Sequence, residues 1–156
     1  MANTQPPAKV VQQLYELLEE GRFDEYASNF AEDAKWIEPT GSVFGGTYRG
    51  RDQIRELMER ASKDWWEEFE VEVDRLVVDG DTVIAITTTS GTYRSSGVRA
   101  SARAAHLYVV RDGLITRMES FEDTASLNRA IDSEPSGLSE LGATATPDRA
   151  AESSRE

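Results

Sequence analysis

The 156-residue sequence contains no cysteine and one histidine, His106. It therefore has no disulfide, no thiolate nucleophile and no zinc-thiolate site, and a metal site built from several histidines is excluded as well. Any chemistry that the chain performs must come from carboxylates, hydroxyls, arginines and this single imidazole. We accordingly expect neither a metal nor an organic cofactor.

Basic residues and long apolar runs are also scarce. Lys and Arg total 17 against 29 Asp and Glu, for a formal net charge of −12, and such a chain repels polyanionic nucleic acid and anionic membrane surfaces. The sequence has no run of about eighteen apolar residues, and MANTQPPAKV lacks the charged-then-apolar pattern of a signal peptide. We expect a cytoplasmic protein with no nucleic-acid and no membrane partner.

The N-terminal half has apolar residues at helical spacing in three segments. The first ends before Gly21, the second is FDEYASNFAED, and the third is RDQIRELMERASKDWW, with Trp65 and Trp66 at its end. The second half changes to Val, Ile, Thr and Tyr interrupted at DGD, SSG and RDG, which is typical of antiparallel strands joined by hairpins. Helices followed by such a meander predict an α+β fold, with three N-terminal helices on one face of a curved sheet.

The chain is long enough for one domain with a substantial core. We expect this domain to span residues 9–131, after a flexible N-terminus of residues 1–8. Residues 132–156 are rich in Ser, Ala, Pro and Glu and poor in bulky apolar residues, which predicts a disordered tail. Just before that tail, Asp123 is placed to cap a short last helix, TASLNRAI.

Strand parity places His106 on the more apolar face of its strand. Between residues 98 and 110 the even positions carry Val, Ala, His and Tyr, whereas the odd positions include arginine and serine. Small alanines on that face leave room for a cavity, and Tyr108 would line its wall. Pairing Val110 with Leu114 across the RDG turn would put three residues of the next strand on the same side: Met118, Ser120 and Glu122.

The stretch WIEPTGS, residues 36–42, places a carboxylate beside an indole and directly ahead of a proline. Trp36 and Glu38 share one face of a short strand. A carboxylate held against an indole and away from water has its charged form destabilised, so its pKa rises toward the range useful for proton transfer. The alternative is a strand-end carboxylate that is solvated or paired with an arginine. His106 is likewise open to being a core residue with one satisfied hydrogen bond.

Three stretches together resemble the SnoaL-like and ketosteroid-isomerase-like proteins of the nuclear-transport-factor-like superfamily: VVQQLYELLEEGRFDEYASNFAEDAKWIEPTGS, YRGRDQI and HLYVVRDGLITRMESFEDTASL. The resemblance covers residues 10–131, and its most specific parts are FAEDA followed by EPTGS, and the YRGR-x-x-I start of the third helix. It implies a cone-shaped roll, in which three helices pack on a curved, mostly antiparallel sheet with a central pocket. It also implies a homodimer.

The resemblance assigns roles to two residues. Glu38 matches the acid that shuttles a proton on the substrate carbon, and His106 matches the protonated aspartate that donates a hydrogen bond to the forming enolate. The isomerases also carry an oxyanion tyrosine on the first helix, and that position is Leu14 in this sequence. One donor is therefore missing unless another tyrosine replaces it, which argues against steroid isomerisation; the candidates are Tyr15, Tyr26 and Tyr108.

Epoxide hydrolysis is not expected either, because Ser120 stands where the epoxide hydrolases of the superfamily carry an aspartate. The sequence instead predicts a cofactor-independent acid/base enzyme of isomerase, cyclase or dehydratase type. Its substrate would be a small hydrophobic carbonyl compound such as a polyketide, terpenoid or steroid-like molecule. The alternative is a non-catalytic small-molecule-binding or accessory domain of the same fold. Glu38 and His106 are the predicted catalytic residues, and the predicted substrate contacts are Trp36, Tyr15, Tyr26, Tyr108, Met118, Ser120 and Trp65.

Overall fold

Four α-helices and one sheet of six strands make up residues 5–133, the part of the chain that the computed structural model describes. A π-helical turn, Ala61–Trp65, connects the third helix to the third strand. In chain order the elements are α1 (Pro7–Glu19), α2 (Phe23–Ser28), β1 (Phe30–Glu38), β2 (Gly46–Arg49), α3 (Gly50–Arg60), β3 (Trp66–Asp79), β4 (Thr82–Tyr93), β5 (Arg99–Arg111), β6 (Leu114–Glu122) and α4 (Thr124–Ile131).

The strands lie in the order β2-β1-β6-β5-β4-β3. Neighbouring strands are antiparallel except for β1 and β6, which run parallel. The sheet is curved and unclosed, with the helices packed on it. The predicted α+β roll is therefore confirmed, and the one parallel pair brings the N-terminal strand beside the C-terminal one.

Helix α1 follows from its sequence. Pro7 opens the helix, where its missing N–H is not needed, and buried side chains recur at helical spacing. Gly21 follows the helix in the left-handed region, with φ of +69°, and its N–H donates to the carbonyl of Leu18. Residues 7 and 8, expected in a flexible N-terminus, belong to this helix. Residues 1–4 and most of the expected tail, residues 134–156, lie outside the described residues.

Two expected helix ends are wrong. The predicted second helical segment includes Phe30, but α2 ends at Ser28 and Phe30 is the first residue of β1, where it is fully buried. Trp66 was assigned to the end of the third helix, but it begins β3 and pairs with Tyr93. In both places a helix and a strand would each bring the side chain into the core, so apolar spacing does not distinguish them.

Two clusters of buried side chains form the core. The larger cluster lies beneath the first three helices and includes Leu14, which is fully buried. The smaller cluster contains Trp66 and Tyr93 and is covered by α4. Trp65 and Phe69 pack against both clusters and so connect them.

The alanines of β5 have a different use from the expected one. They were expected to leave room for a cavity, but Ala100 and Ala102 pack with three side chains of α4: Leu127, Ala130 and Ile131. A small side chain lets a helix approach the sheet closely. The alanine row therefore makes room mainly for α4, and the cavity lies further along the strand.

Helix α4 is fixed at several points. The Asp123 carboxylate accepts a hydrogen bond from the Ser126 N–H at 3.1 Å, which confirms the expected cap. Asn128 Nδ2 donates to the Gly41 carbonyl at 2.8 Å, and Ser96 Oγ donates to the Ala130 carbonyl at 2.6 Å. These bonds tie the last helix to the loop after β1 and to the β4–β5 connection.

Across residues 5–133, none of the helices has the length and apolar character needed to cross a membrane.

Leu14→Ala is expected to lower the free energy of unfolding by about 2–5 kcal/mol, because it removes apolar atoms from a closed part of the core and leaves a void. Urea unfolding followed by circular dichroism measures the change. Gln12→Ala, at an exposed position of the same helix, is the control and should stay within about 0.5 kcal/mol of the parent chain. A Leu14→Ala loss no larger than that of the control would contradict the packing described above.

Candidate functional site

A cavity of about 90 Å³ lies on the inner face of the sheet, between the two core clusters. Its wall is mostly aromatic and aliphatic, with a few polar groups that come chiefly from the strands. Among the predicted site residues, only Met118 does not line it. The others are brought together there: Tyr15, Tyr26, Trp36, Glu38, Trp65, His106, Tyr108 and Ser120.

Glu38 is the last residue of β1, on the same face as Trp36. The Trp36 indole Nε1–H donates to Glu38 Oε1 at 2.5 Å. The pKa of the Glu38 carboxyl is raised to about 8, mainly by burial and also by repulsion from Glu122, whereas the indole hydrogen bond opposes the rise. None of the ion pairs among residues 5–133 involves Glu38. The geometry therefore fits the desolvated acid/base group better than the arginine-paired strand end.

His106 lies at the end of a chain of hydroxyl groups. Tyr108 donates its O–H to the Tyr15 oxygen at 2.9 Å, and the Tyr15 hydroxyl lies 2.7 Å from His106 Nδ1. The Tyr15 oxygen accepts from Tyr108, and His106 Nδ1 is the acceptor that the Tyr15 proton can reach among the described residues. We therefore assign that proton to the bond with Nδ1. Burial lowers the pKa of His106 to about 4, so the ring is neutral at pH 7 and carries its proton on Nε2.

Tyr15 supplies the first-helix hydroxyl that Leu14 lacks. Leu14 is fully buried in the core, whereas the next residue along α1 turns its side chain to the cavity. The Tyr15 and His106 rings are nearly parallel, with 12° between their planes and 6.2 Å between their centroids, and the hydrogen bond joins them edge to edge. The first helix therefore does supply a tyrosine hydroxyl, one residue later than expected, and that hydroxyl orients the imidazole.

Glu122 is an ionisable residue of the cavity that the predicted site does not include. It is the last residue of β6, lines the cavity, and has its pKa raised by burial. The predicted hairpin pairing puts Glu122 on the correct face, the same side as His106, but the prediction gives it no role in the site. Two carboxyl groups therefore share one apolar cavity.

The expected register of the β5–β6 hairpin is wrong, although the expected face is right. Leu114 pairs with Arg111 instead of Val110, and a bulge between Val109 and Val110 shifts the register again. The two displacements together restore the parity. Tyr108 consequently pairs with Met118, His106 with Ser120, and Ala104 with Glu122.

Met118 belongs to the core instead of the cavity wall. It is fully buried and pairs with Trp36 on one side and Tyr108 on the other. Both of these neighbours carry large rings that line the cavity. Met118 therefore packs among the side chains that shape the wall, without forming part of it.

Three elements outside the sheet cover the cavity, and we call their side chains the roof: Phe44, Trp65 and Leu127. They come from the loop after β1, from the π-helical turn and from α4. The rings of Phe44 and Trp65 stack with centroids 4.3 Å apart. Gly45 allows this loop to fold back on itself, because a Cβ at that position would collide with the Pro39 carbonyl oxygen. The sequence reasoning missed Phe44 because VFGG has no periodic pattern.

The remaining lining residues are apolar except for Thr89: Leu18, Leu57, Met58, Ala61, Trp66, Phe69, Val71 and Thr89. No lysine or arginine of the described chain lines the cavity. At neutral pH the raised pKa of Glu38 keeps it largely protonated and the lowered pKa of His106 keeps it neutral. The site is thus an apolar chamber with two carboxyl groups and a neutral imidazole.

This helix-covered cone with a pocket on its inner face defines an NTF2-like α+β protein. The SnoaL-like domain model matches residues 11–118, and the chain belongs to the SnoaL-like family. None of the curated proteins matches the chain.

Solved structures share the fold. An NTF2-like protein from Burkholderia thailandensis is 30% identical, with 82% of this chain and 98% of that chain covered and a TM-score of 0.77. A protein from Catenulispora acidiphila with a ketosteroid isomerase-like fold, in complex with trimethylamine, is 18% identical, with 87% and 100% covered and a TM-score of 0.72. A protein from Jannaschia sp. CCS1, proposed to be a SnoaL-like polyketide cyclase, is 18% identical, with 85% and 99% covered and a TM-score of 0.72.

The opposite pKa shifts of Glu38 and His106 predict how stability depends on pH. Glu38, raised from 4.5 to about 8, keeps a proton in the folded chain that the unfolded chain has lost, so its contribution to stability falls as pH rises from 4.5 to 8. His106, lowered from 6.5 to about 4, has the reverse effect and loses stability as pH falls through that window. Of the groups in the cavity, only the two carboxyls therefore change the free energy of unfolding between pH 6.5 and 8.

Glu38→Gln is therefore expected to remove most of a decline of about 2 kcal/mol in the free energy of unfolding between pH 6.5 and 8. Urea unfolding at several pH values measures it. Glu32→Gln, at an exposed position of the same strand, is the matched control and should keep the decline. An identical pH profile for parent and Glu38→Gln would show that Glu38 is an ordinary solvated carboxylate.

Proposed function

We propose that the chain is an acid/base enzyme that moves a proton on a small hydrophobic carbonyl compound, without a cofactor. The observation that supports this most is the Glu38 carboxyl, desolvated in an aromatic cavity that also contains a neutral His106. Membership of the SnoaL-like family supports the same class, as does the likeness to a protein proposed to be a polyketide cyclase. Isomerisation, aldol-type cyclisation and dehydration all begin with the step proposed here.

In this step the ionised Glu38 carboxylate takes a proton from the carbon next to a carbonyl group. The charge that builds on the carbonyl oxygen is stabilised by the Nε2–H of His106, which Tyr15 holds in the required tautomer. A base with a raised pKa is stronger once it is ionised. Each of the two roles is typically worth a factor of about a hundred to a few thousand in rate.

The cavity volume restricts the substrate. About 90 Å³ is well below the roughly 300–1,000 Å³ of pockets that enclose drug-sized ligands. A compact molecule, or one ring of a larger one, fits this space better than four fused rings. We therefore favour a small polyketide- or terpenoid-like carbonyl compound over a steroid.

Activity is expected to rise with pH up to about 8, since only the ionised carboxylate accepts a proton and the pKa of Glu38 is about 8. The isomerisation of cyclohex-3-en-1-one to its conjugated isomer, followed by ultraviolet absorbance, gives kcat/KM at each pH. Glu38→Gln should lose at least about a hundredfold. Glu122→Gln should move the midpoint to lower pH, because it removes the repulsion that raises the Glu38 pKa.

Two outcomes would count against the enzyme. One is a Glu38→Gln variant as active as the parent chain. The other is a rate that does not change between pH 6 and 9 while substrate binding is intact. In the second case the residual activity would have to come from a group other than the buried carboxyl.

A second candidate is a binding protein for small organic cations. The cavity contains two carboxyls, Glu38 and Glu122, which become anionic as pH rises, and no described lysine or arginine lines it. The rings of Tyr26, Trp36, Phe44 and Trp65 surround it. Carboxylates and aromatic faces both attract ammonium groups. The trimethylamine complex of the Catenulispora acidiphila protein supports this candidate.

Choline and its neutral isostere 3,3-dimethylbutan-1-ol distinguish the two candidates. A cation-binding protein should bind choline at least about tenfold more tightly, corresponding to about 1.4 kcal/mol. Isothermal titration calorimetry at pH 8 measures the ratio. The preference should fall in Glu38→Gln and Glu122→Gln but not in Glu32→Gln. Equal affinities for the two compounds would reject the cation candidate.

The homodimer implied by the resemblance, and the cytoplasmic location, stay predictions.

A further inference from the structure

Ser120 has a buried hydroxyl group to which no described residue forms a hydrogen bond. The residue is 4% exposed and lines the cavity. A buried hydroxyl without a partner destabilises the folded chain, and removing it can be neutral or stabilising. An unpartnered hydroxyl at a cavity wall therefore points to a partner that enters the cavity.

His106 is the direct neighbour of Ser120. The two residues pair across β5 and β6, and Cβ atoms of such pairs on one face are about 4.5–5.5 Å apart. His106 Nδ1 is occupied by the Tyr15 hydroxyl, which leaves the Nε2–H for the cavity. Two hydrogen-bond donors, O–H and N–H, thus lie side by side on the cavity wall.

Glu38, the proposed base, lies in line with Ser120 and His106 across the sheet. Strands β1 and β6 are parallel neighbours with Ile37 beside Glu119, and continuing that register puts Glu38 beside Ser120. Neighbouring strands are about 4.8 Å apart. Glu38, Ser120 and His106 therefore succeed one another across three adjacent strands, all facing the cavity.

We infer that Ser120 and His106 form an oxygen-binding subsite, in which one carbonyl oxygen of the ligand accepts hydrogen bonds from the Ser120 hydroxyl and from His106 Nε2–H. This inference rests on the proposed function for its substrate class, and it names Ser120 as the second donor. A carbonyl oxygen has two lone pairs and can accept both bonds. The carbon next to that carbonyl then lies on the Glu38 side of the row.

The proton and electron balance of the step is complete without another reactant. Glu38 takes the proton from the carbon next to the carbonyl, and the C–H electron pair becomes the carbon–carbon double bond of the enolate. The carbonyl π pair moves onto oxygen, where Ser120 and His106 stabilise it. For an isomerisation, Glu38 returns the same proton to another carbon, and the carbonyl re-forms.

Binding of a matched pair of probes tests the subsite without turnover. Cyclohexanone and methylenecyclohexane have nearly the same shape, but only the ketone has an oxygen. The parent chain should prefer the ketone, and Ser120→Ala should lose about tenfold of that preference, as expected for one hydrogen bond. Nuclear magnetic resonance titration gives the affinities. The infrared stretching frequency of the bound ketone should be lowered in the parent and move back up in Ser120→Ala.

Thr87→Val is the matched control. Thr87 also has a buried hydroxyl without a partner among the described residues, but it does not line the cavity. Its removal should leave the ketone preference and the carbonyl frequency unchanged. Neither variant should lose stability in urea unfolding. Ser120→Cys, which keeps a donor at this position but a weaker one, should fall between the parent and Ser120→Ala.

The inference is overturned if Ser120→Ala keeps both the preference and the carbonyl frequency of the parent, or if Thr87→Val changes them as much. If the chain binds the ketone with a lowered carbonyl frequency but does not isomerise cyclohex-3-en-1-one, the oxygen-binding subsite stands and the proposed enzymatic function is rejected. The two failures are therefore distinguishable.

Discussion

The parallel pairing of β1 with β6 is the constraint on which the site depends. It joins a strand from the start of the chain to one from the end, and it makes Glu38 a neighbour of residues that come some eighty positions later. An antiparallel pairing at this place would send the end of β1 the opposite way along β6. Because the two strands end at the same edge, their terminal carboxyl groups meet in one cavity.

Burial shifts the pKa values of the two groups in this cavity in opposite directions. It raises the pKa of Glu38 and lowers that of His106, because water stabilises charge and the aromatic wall does not. Near pH 7 the carboxyl is consequently largely protonated and the imidazole is neutral. An isolated buried charge would cost much more than either neutral group. The hydroxyls of Tyr15 and Tyr108 complete the arrangement by fixing the imidazole without adding charge.

Much of this could be predicted from the sequence, for a physical reason. Side chains alternate along a strand, so parity predicts that Trp36 and Glu38 share one face and that His106 lies on the more apolar face of its strand. The face of Ser120 follows only when a hairpin pairing is assumed as well. Register is set by turns and bulges, which the alternation of side chains does not reveal. The predicted β5–β6 pairing is therefore off by one residue at the turn and by two residues beyond the bulge. The predicted helix ends are wrong at Phe30 and Trp66, because these two side chains reach the core from strands. Phe44 could not be predicted at all, since only the packing of its loop brings it over the cavity.

The roof and the polar row come from different parts of the chain. Glu38, Ser120 and His106 are held by the ladder of the sheet, whereas Phe44, Trp65 and Leu127 come from a loop, a π-helical turn and a short helix. Exchanges in the roof would alter the shape and size of the molecule admitted, while the acid/base groups kept their positions. Selection could therefore change the substrate range of such a chain in small steps, with its reaction conserved, and a designer could follow the same route.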